Sequence, residues 1–364
     1  MRRSLFLTLL LFALLPSWAE DSPLRYTNAE DLLIINKGFS NTLTPYTRIP
    51  AYLQDSVRPD LWARSLCSSG IAVRFASNSK RIAARYRLSM DFHMAHMADT
   101  GTKGTDLYCL GEDGRWHYVN TARPTKDSIQ QKVYVSNLDG EMHEWMIYLP
   151  LYDGISWLEV GVDSAAVLCK PQVQNPVSNR KIVFYGTSIM QGGCASRTGM
   201  ASTCLIQRDL GIECVNLGFS GEGKMDACMA RAMAAIPDVV AYVIDPVPNC
   251  TKDMCDTLTA DFVRILRKAH PDVPIIMVEG LTYPYAHYDS FFRGYLPQKN
   301  EAFHKNFLLL MAENPHNLYY VTTQGQTGRD EEGTVDGIHL TDLGFRAYAD
   351  KLEEVLTPLL NPNK

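Results

Sequence analysis

The sequence predicts an α/β chain with two unlike parts: an all-β sandwich of jelly-roll type, then an α/β/α domain built on a parallel sheet. Three observations predict it. Residues 25–170 carry short alternating apolar runs separated by turn clusters, with no helical periodicity between them. From residue 181 the pattern changes to continuous apolar runs that alternate with helical stretches. Between the two lies PQVQNPVSNR (171–180), with two prolines and no apolar period, which predicts a linker.

The first part reads strand by strand as GIAVRFA (70–76), IAARYRLSM (82–90), DLYCL (106–110), WHYVNTA (116–122), QKVYVSNL (131–138), HEWMIYLPL (143–151), SWLEVGVD (156–163) and AVLCK (166–170). GEDG (111–114) and NLDG (137–140) supply turns. In the second part, IVFYG (182–186), CVNLGF (214–219), VVAYVID (239–245), PIIMVEG (274–280) and LYYVTT (318–323) read as buried strands. Helices are predicted near 200–210, 224–235, 256–269, 299–314 and 341–360. In such a sheet, ligand chemistry collects at the carboxyl ends of the strands.

The chain opens with MRRSLFLTLLLFALLPSWAE. Arg2 and Arg3, the apolar run Leu5 to Leu15 and the small-x-small Ser17-Trp18-Ala19 form the three regions of a secretory signal peptide, assigned to residues 1–19. An apolar run of about 11 residues is short for a membrane span, and no cysteine follows it to take a lipid. The expectation is an exported protein, periplasmic or extracellular, with no stable membrane insertion after cleavage. About 345 residues then remain, enough for two domains, at 20–170 and 181–364.

A net charge of −5 leaves no basic footprint for nucleic acid. The nine cysteines match no metal spacing, and their odd number leaves connectivity open. Six fall between 194 and 255, with Cys194 to Cys250 one candidate bridge, while Cys204 and Cys214 read as free buried thiols. The nine histidines show no H-E-x-x-H or H-x-x-E-H grouping, and no cofactor or metal is expected.

The loops after the predicted strands carry the chemistry. KIVFYGTSIMQGG (181–193) runs from a strand into a tight turn that presents Ser188, either as a helix cap or as a nucleophile. Asn216 to Gly223 is a glycine-rich loop whose N–H groups suit an oxyanion or simply a turn; it matches neither a P-loop nor a dinucleotide motif. Asp245-Pro246-Val247-Pro248-Asn249 is stiffened by two prolines and offers the Asn249 amide as a donor. Asp336-Gly337-Ile338-His339 opens the last helix, with Thr341 as its N-cap and no capping box. An Asp three residues before a His can hold one ring nitrogen while the other faces a serine hydroxyl. Each signal is moderate alone. Their order on successive loops of one sheet edge favours Ser188 as nucleophile.

In that order the sequence resembles the SGNH hydrolase superfamily, also called the GDSL esterases. Gly186-Thr187-Ser188-Ile189 is similar to its first block, Gly221 to the second-block glycine, Asn249 to the third-block asparagine and Asp336-Gly337-Ile338-His339 to the fifth block. Thr187 and Ile189 depart from the commoner Asp and Leu, and the Asn249 segment departs from Gly-x-Asn-Asp. The resemblance, over roughly residues 181 to 360, implies a flavodoxin-like hydrolase domain. It also implies a Ser188, His339, Asp336 acyl-enzyme mechanism, with the Ser188 N–H, the Gly221 N–H and the Asn249 amide as oxyanion hole. The upstream sandwich and the run Ser188 to Arg197 resemble a secreted bacterial subgroup whose members include carbohydrate O-acetylesterases. An acylated carbohydrate, or another small ester, is therefore the expected substrate. Two rivals are a lipid or thioester acylhydrolase and a glycan-binding protein working through its sandwich. The aromatic segment LTYPYAHYDSFFRGYLP (281–297) serves as a sugar-stacking rim or as packing, and Trp62, Trp116, Trp145 and Trp157 as ligand faces or as core.

Overall fold

A computed structural model describes residues 23–173, 177–322, 324–328 and 330–360. The expected signal peptide lies outside them, as do residues 174–176 of the expected linker.

Two antiparallel sheets form the sandwich. One has the order β1-β9-β4-β7, from β1 (Leu24–Asn28), β9 (Ile155–Asp163), β4 (Ile82–Leu88) and β7 (Ile129–Val135). The other runs β10-β3-β8-β5-β6, from β10 (Leu168–Cys169), β3 (Ala72–Ser77), β8 (His143–Tyr148), β5 (Asp106–Leu110) and β6 (Trp116–Thr121), with β2 (Leu33–Ile35) also paired to β3. Side chains alternate across a strand, so each sheet offers one face inward. Val73, Phe75, Leu107, Trp145 and Ile147 of one sheet meet Ile82, Ala84, Tyr86, Leu158 and Val160 of the other in a single core.

The second part is a parallel sheet in the order β12-β11-β13-β14-β15, the flavodoxin-like arrangement. Its strands are β11 (Val177–Gly186), β12 (Ile212–Gly218), β13 (Val239–Asp245), β14 (Ile275–Val278) and β15 (Leu318–Val321). Both faces are covered, so both alternating sets of each strand are apolar. Ile182 and Phe184 face the layer of α4 (Ser202–Leu210) and α8 (Asp342–Leu360). Val183 and Tyr185 face α5 (Ala227–Ala234), α6 (Lys252–Ala269) and α7 (Ser290–Glu313).

Two differences from the sequence reading have clear causes. β11 starts at Val177, inside the expected linker, and pairs there with Ile212 before its register shifts by Lys181. Helix α7 starts at Ser290 rather than near 299 and carries Pro297 within it. Asp289 caps it, accepting the Phe291 and Phe292 N–H groups at 2.9 and 3.2 Å, and beyond the proline Asn300 exchanges two hydrogen bonds with Gly280. These contacts offset the ladder bond that proline removes.

The two parts share apolar cores. Tyr108, Met146, Tyr148 and Leu151 of the sandwich pack in one cluster with Ile182, Ile206 and Phe345. The segment between β2 and β3 wraps to the far side of the parallel sheet, where Phe39, Ile49, Leu53 and Leu61 join the α5 to α7 layer. At the junction Arg197 donates to Asp106 Oδ2 at 2.7 Å, with the Asp106 side chain fully buried. Asp106 also accepts from the Gly199 N–H at 2.8 Å and from Thr121 Oγ1 at 2.7 Å. Burial raises the Asp106 carboxyl, but the adjacent guanidinium and two further donors favour the ionised pair.

Removing one member of a buried pair strands the other charge. Asp106→Ala should therefore lower unfolding free energy by about 3–5 kcal/mol, measured by urea denaturation. A loss under about 1 kcal/mol, the range of surface pairs, would show that this junction is not a stabilising contact.

Candidate active site

The site begins where β11 ends. Thr187 accepts the Ile189 N–H at 3.4 Å through its hydroxyl and opens the short helix α3 (Ser188–Gln191). Ser188 Oγ lies 2.9 Å from His339 Nε2. His339 Nδ1 lies 2.8 Å from Asp336 Oδ2. The other carboxylate oxygen accepts the main-chain N–H groups of Ile338 and His339 at 3.0 and 2.8 Å. With Nδ1–H donating to Asp336, Nε2 is left to accept the serine hydroxyl. Burial alone would raise the Asp336 carboxyl, but hydrogen bonds from the His339 main chain and ring hold it below its ordinary value. An anion there stabilises an imidazolium.

His339 comes from far away in the sheet. β15 is the edge strand, three places from β11. The chain after it returns through a small closed loop, in which Val335 N–H donates to His339 O at 2.8 Å and Thr341 N–H to Gly333 O at 2.9 Å. Thr341 then caps α8, accepting from the Gly344 N–H at 3.3 Å.

The glycine-rich loop meets the Ser188 turn through backbone contact. A methyl at Gly218 would lie 2.2 Å from the Gln191 N, and one at Gly223 would lie 2.1 Å from Gly186 O and 3.2 Å from Thr187 N. Only glycine permits such approach. The glycine-rich loop is thereby pressed against the turn that carries Ser188. Asn249 Oδ1 accepts the Gly223 N–H at 3.2 Å, bringing the third predicted loop to the same place. Gly221 stands at φ +75°, and a methyl added to it would have no atom within 4 Å. Among the described residues neither the Gly221 N–H nor Asn249 Nδ2 has a hydrogen-bond partner. The five predicted site residues thus occupy adjoining loops at one sheet edge.

Sequence reasoning misses the groups that brace this edge, because their partners are far away in the chain. Gln191, fully buried, donates to Leu151 O at 3.0 Å, accepts from Ser220 N–H at 2.9 Å, and offers its own carbonyl to Ser69 Oγ at 2.6 Å. Arg48, buried and without a carboxylate, donates to the carbonyls of Cys67, Arg64, Asn216 and Gly218; desolvation lowers it to about 10. Tyr152 Oη donates to Ser188 O at 3.3 Å. Burial also isolates Asp245 at the end of β13. Its Oδ2 accepts from Tyr348 Oη at 2.7 Å, its Oδ1 has no partner among the described residues, and its carboxyl is pushed up to about 7.

The cysteines sit differently from the Cys194–Cys250 expectation. All nine are free thiols; Cys194 lies beside His96 and His339, while Cys250 lies against Cys255. Desolvation pushes the Cys194 thiol up to about 12, which favours its protonated form. Of the four candidate tryptophans, Trp145 is sandwich core, Trp116 and Trp157 are half-buried, and Trp62 is half-buried against the α5 to α7 layer. The 281–297 segment divides: Tyr283, Tyr285 and Phe292 pack together near Asp336, while Tyr288 and Phe291 are exposed. Beyond them a cavity of about 700 Å³ is lined by Glu279, His287, Phe292, Leu296, His304 and Tyr320, among others. Neither Ser188 nor His339 lines it.

The comparisons agree with this architecture. Residues 179–357 match the GDSL-like lipase/acylhydrolase family, and residues 24–168 match the N-terminal region of SGNH-hydrolase-type esterases. A candidate GDSL-like lipase from Bacteroides ovatus is 34% identical, with a TM-score of 0.87 over 93% of this chain and 98% of its own. The chain belongs to the GDSL-like, or SGNH, hydrolase family. More distant folds of the same layout include the salicylyl-acyltransferase SsfX3 of a tetracycline biosynthetic pathway (16% identity, TM-score 0.72, 92% and 97% covered). Another is a family two carbohydrate esterase from Clostridium thermocellum, solved with cellohexaose (14%, 0.60, 90% and 99%). No curated protein matches.

Asp245 gives a prediction for stability. Its folded-state value is raised from 3.8 to about 7, so the folded protein holds a proton that the unfolded chain releases. The contribution is full below about pH 4 and is lost as pH rises through about 7, at about 1.4 kcal/mol per unit. Asp245→Asn, which keeps the acceptor for Tyr348, should flatten the decline of urea midpoints across that window. Parallel curves for wild type and variant would contradict it.

Proposed function

We propose that the protein is an exported serine esterase that removes O-acetyl groups from a polysaccharide or oligosaccharide. The observation that carries the reading is the continuous relay from Ser188 Oγ to His339 Nε2 and from His339 Nδ1 to Asp336 Oδ2, at 2.9 and 2.8 Å. His339 takes the serine proton as Oγ attacks the ester carbonyl carbon. The tetrahedral oxyanion accepts from the Ser188 N–H, the Gly221 N–H and the Asn249 amide. Collapse expels the alcohol, which receives the proton from His339. Water repeats the sequence on the acyl-enzyme and releases the acid. Each step uses only these side chains, main-chain donors and water.

The acetyl group is supported by the confinement of the nucleophile. Ser188 is only 6% exposed, and a methyl on Gly193 would meet Tyr152 Oη at 2.7 Å and Ser188 O at 3.0 Å. A long acyl chain would need a channel reaching Ser188, and the 700 Å³ cavity is not lined by that residue. The carbohydrate is supported by the exposed Tyr288 and Phe291, which suit stacking on a sugar face, and by the carbohydrate esterases of the same layout. One of these is an acetyl xylan esterase from the rumen bacterium Butyrivibrio proteoclasticus (11%, TM-score 0.57). Export is supported by the leader pattern of residues 1–19; no helix among the described residues is long and apolar enough to cross a membrane.

Acetate release from acetylated xylan, mannan, pectin and acetylated monosaccharides, with Ser188→Ala as control, tests the reading. Ser188→Ala should abolish nearly all turnover, and wild-type rates from it would sink the mechanism. Asn249→Ala, losing one oxyanion donor, should lower kcat by about 10²–10³ while leaving activity measurable. On p-nitrophenyl esters, acetate should be cleaved faster than octanoate; the reverse order would favour a lipid acylhydrolase.

A further inference from the structure

We propose that His339 doubles as a ligand in an inhibitory site for a borderline-soft divalent cation of the Zn²⁺ class, completed by Cys194 and by His96 of the sandwich part. One ligand atom from each of the three lies within 4.8 Å of the other two. Two imidazoles and a thiol are the donor set that suits zinc, and three protein ligands with one open position are a common arrangement for it. A tetrahedral ion with bonds of about 2.0–2.3 Å needs donors roughly 3.5 Å apart. The cluster must therefore close by about 1 Å, and His96 can supply the movement because it lies exposed in the segment before α2 (Asp99–Thr102).

His96 and Cys194 have no other employment that would exclude a cation. His96 makes no hydrogen bond among the described residues, and its ring stands 5.5 Å from the His339 ring at 57°. Cys194 is buried and held at φ +73°, in the left-handed region that few side-chain-bearing residues adopt. The Gly193 N–H bond to Ser188 O at 2.8 Å and the Ala195 N–H bond to Gly192 O at 3.2 Å fix that turn. Asp336 lies near enough for its charge to act on the thiol, and the same charge attracts a cation.

The consequence for activity follows from valence. His339 Nε2 is engaged by Ser188 and Nδ1 by Asp336. An ion on either nitrogen must displace one of these partners, so metal binding and the serine relay are mutually exclusive. Binding also releases the thiol proton to solvent.

The proposal rests on the esterase reading only for its inhibitory outcome; the site itself can be read without turnover. Zn²⁺ titrated into wild-type protein should inhibit ester hydrolysis, reversibly with chelator. His96→Ala and Cys194→Ser, each compared with its own metal-free rate, should raise the half-inhibiting concentration at least about tenfold, the scale of losses around metal ligands. Separately, Co²⁺ added to the Ser188→Ala protein should produce a near-ultraviolet thiolate-to-cobalt band, absent when Cys194→Ser is added. Equal zinc sensitivity of wild type and both variants would overturn the proposal, as would cobalt spectra without a thiolate band. Should Ser188→Ala keep full activity, the esterase mechanism falls, while the cobalt spectrum still decides the metal site.

Discussion

The arrangement depends on how closely three backbone segments approach at the carboxyl edge of the parallel sheet. The end of β12 lies against α3, and the loop beyond it lies against the last residue of β11, at separations that exclude even a methyl group. Ser188 is therefore placed by packed main chain. Its position does not depend on a flexible side-chain contact. The donors proposed for the oxyanion come from the same segments, and Asn249 is tied to them through Gly223. Preorganised donors need no reorganisation as charge develops. Main-chain contact is the stiffest way to hold them.

The sandwich makes that edge hard to move. Arg48 holds the end of β12 through two carbonyls, Gln191 joins α3 to Leu151 in the loop after β8, and Asp106 grips the segment that follows the Ser188 turn. These groups are buried, so each bond acts in a low dielectric and each orphaned partner would be costly. The first part of the chain thus serves the site even where it touches no substrate.

Legibility in the sequence divides along the same line. The strands of the parallel sheet, and the loops after them, are readable because buried parallel strands are continuous apolar runs and turn residues mark their ends. Ser188, Asn249 and the Asp336/His339 pair stand out for that reason, each at the end of a readable strand or the start of a readable helix. Helix α7 reads too short, since Pro297 mimics a start signal and the true start rests on Asp289. Arg48, Gln191 and His96 leave no signal, because their partners are roughly 16 to 240 residues away in sequence and only tertiary folding selects them. The start of β11 at Val177 is hidden by the prolines before it.

The two halves of the relay are consequently unlike. The serine half is fixed by backbone packing, whereas the histidine half arrives from the edge strand on a small closed loop and is aimed by hydrogen bonds to Asp336 and Ser188. A ring held by two directional bonds can exchange a partner at modest cost, since each bond contributes only about 0.5–3 kcal/mol net. The backbone-held serine has no such alternative. Any influence on this site from solution, whether a cation or a bound product, should therefore act through His339, whose ring lies 5.5 Å from that of the exposed His96.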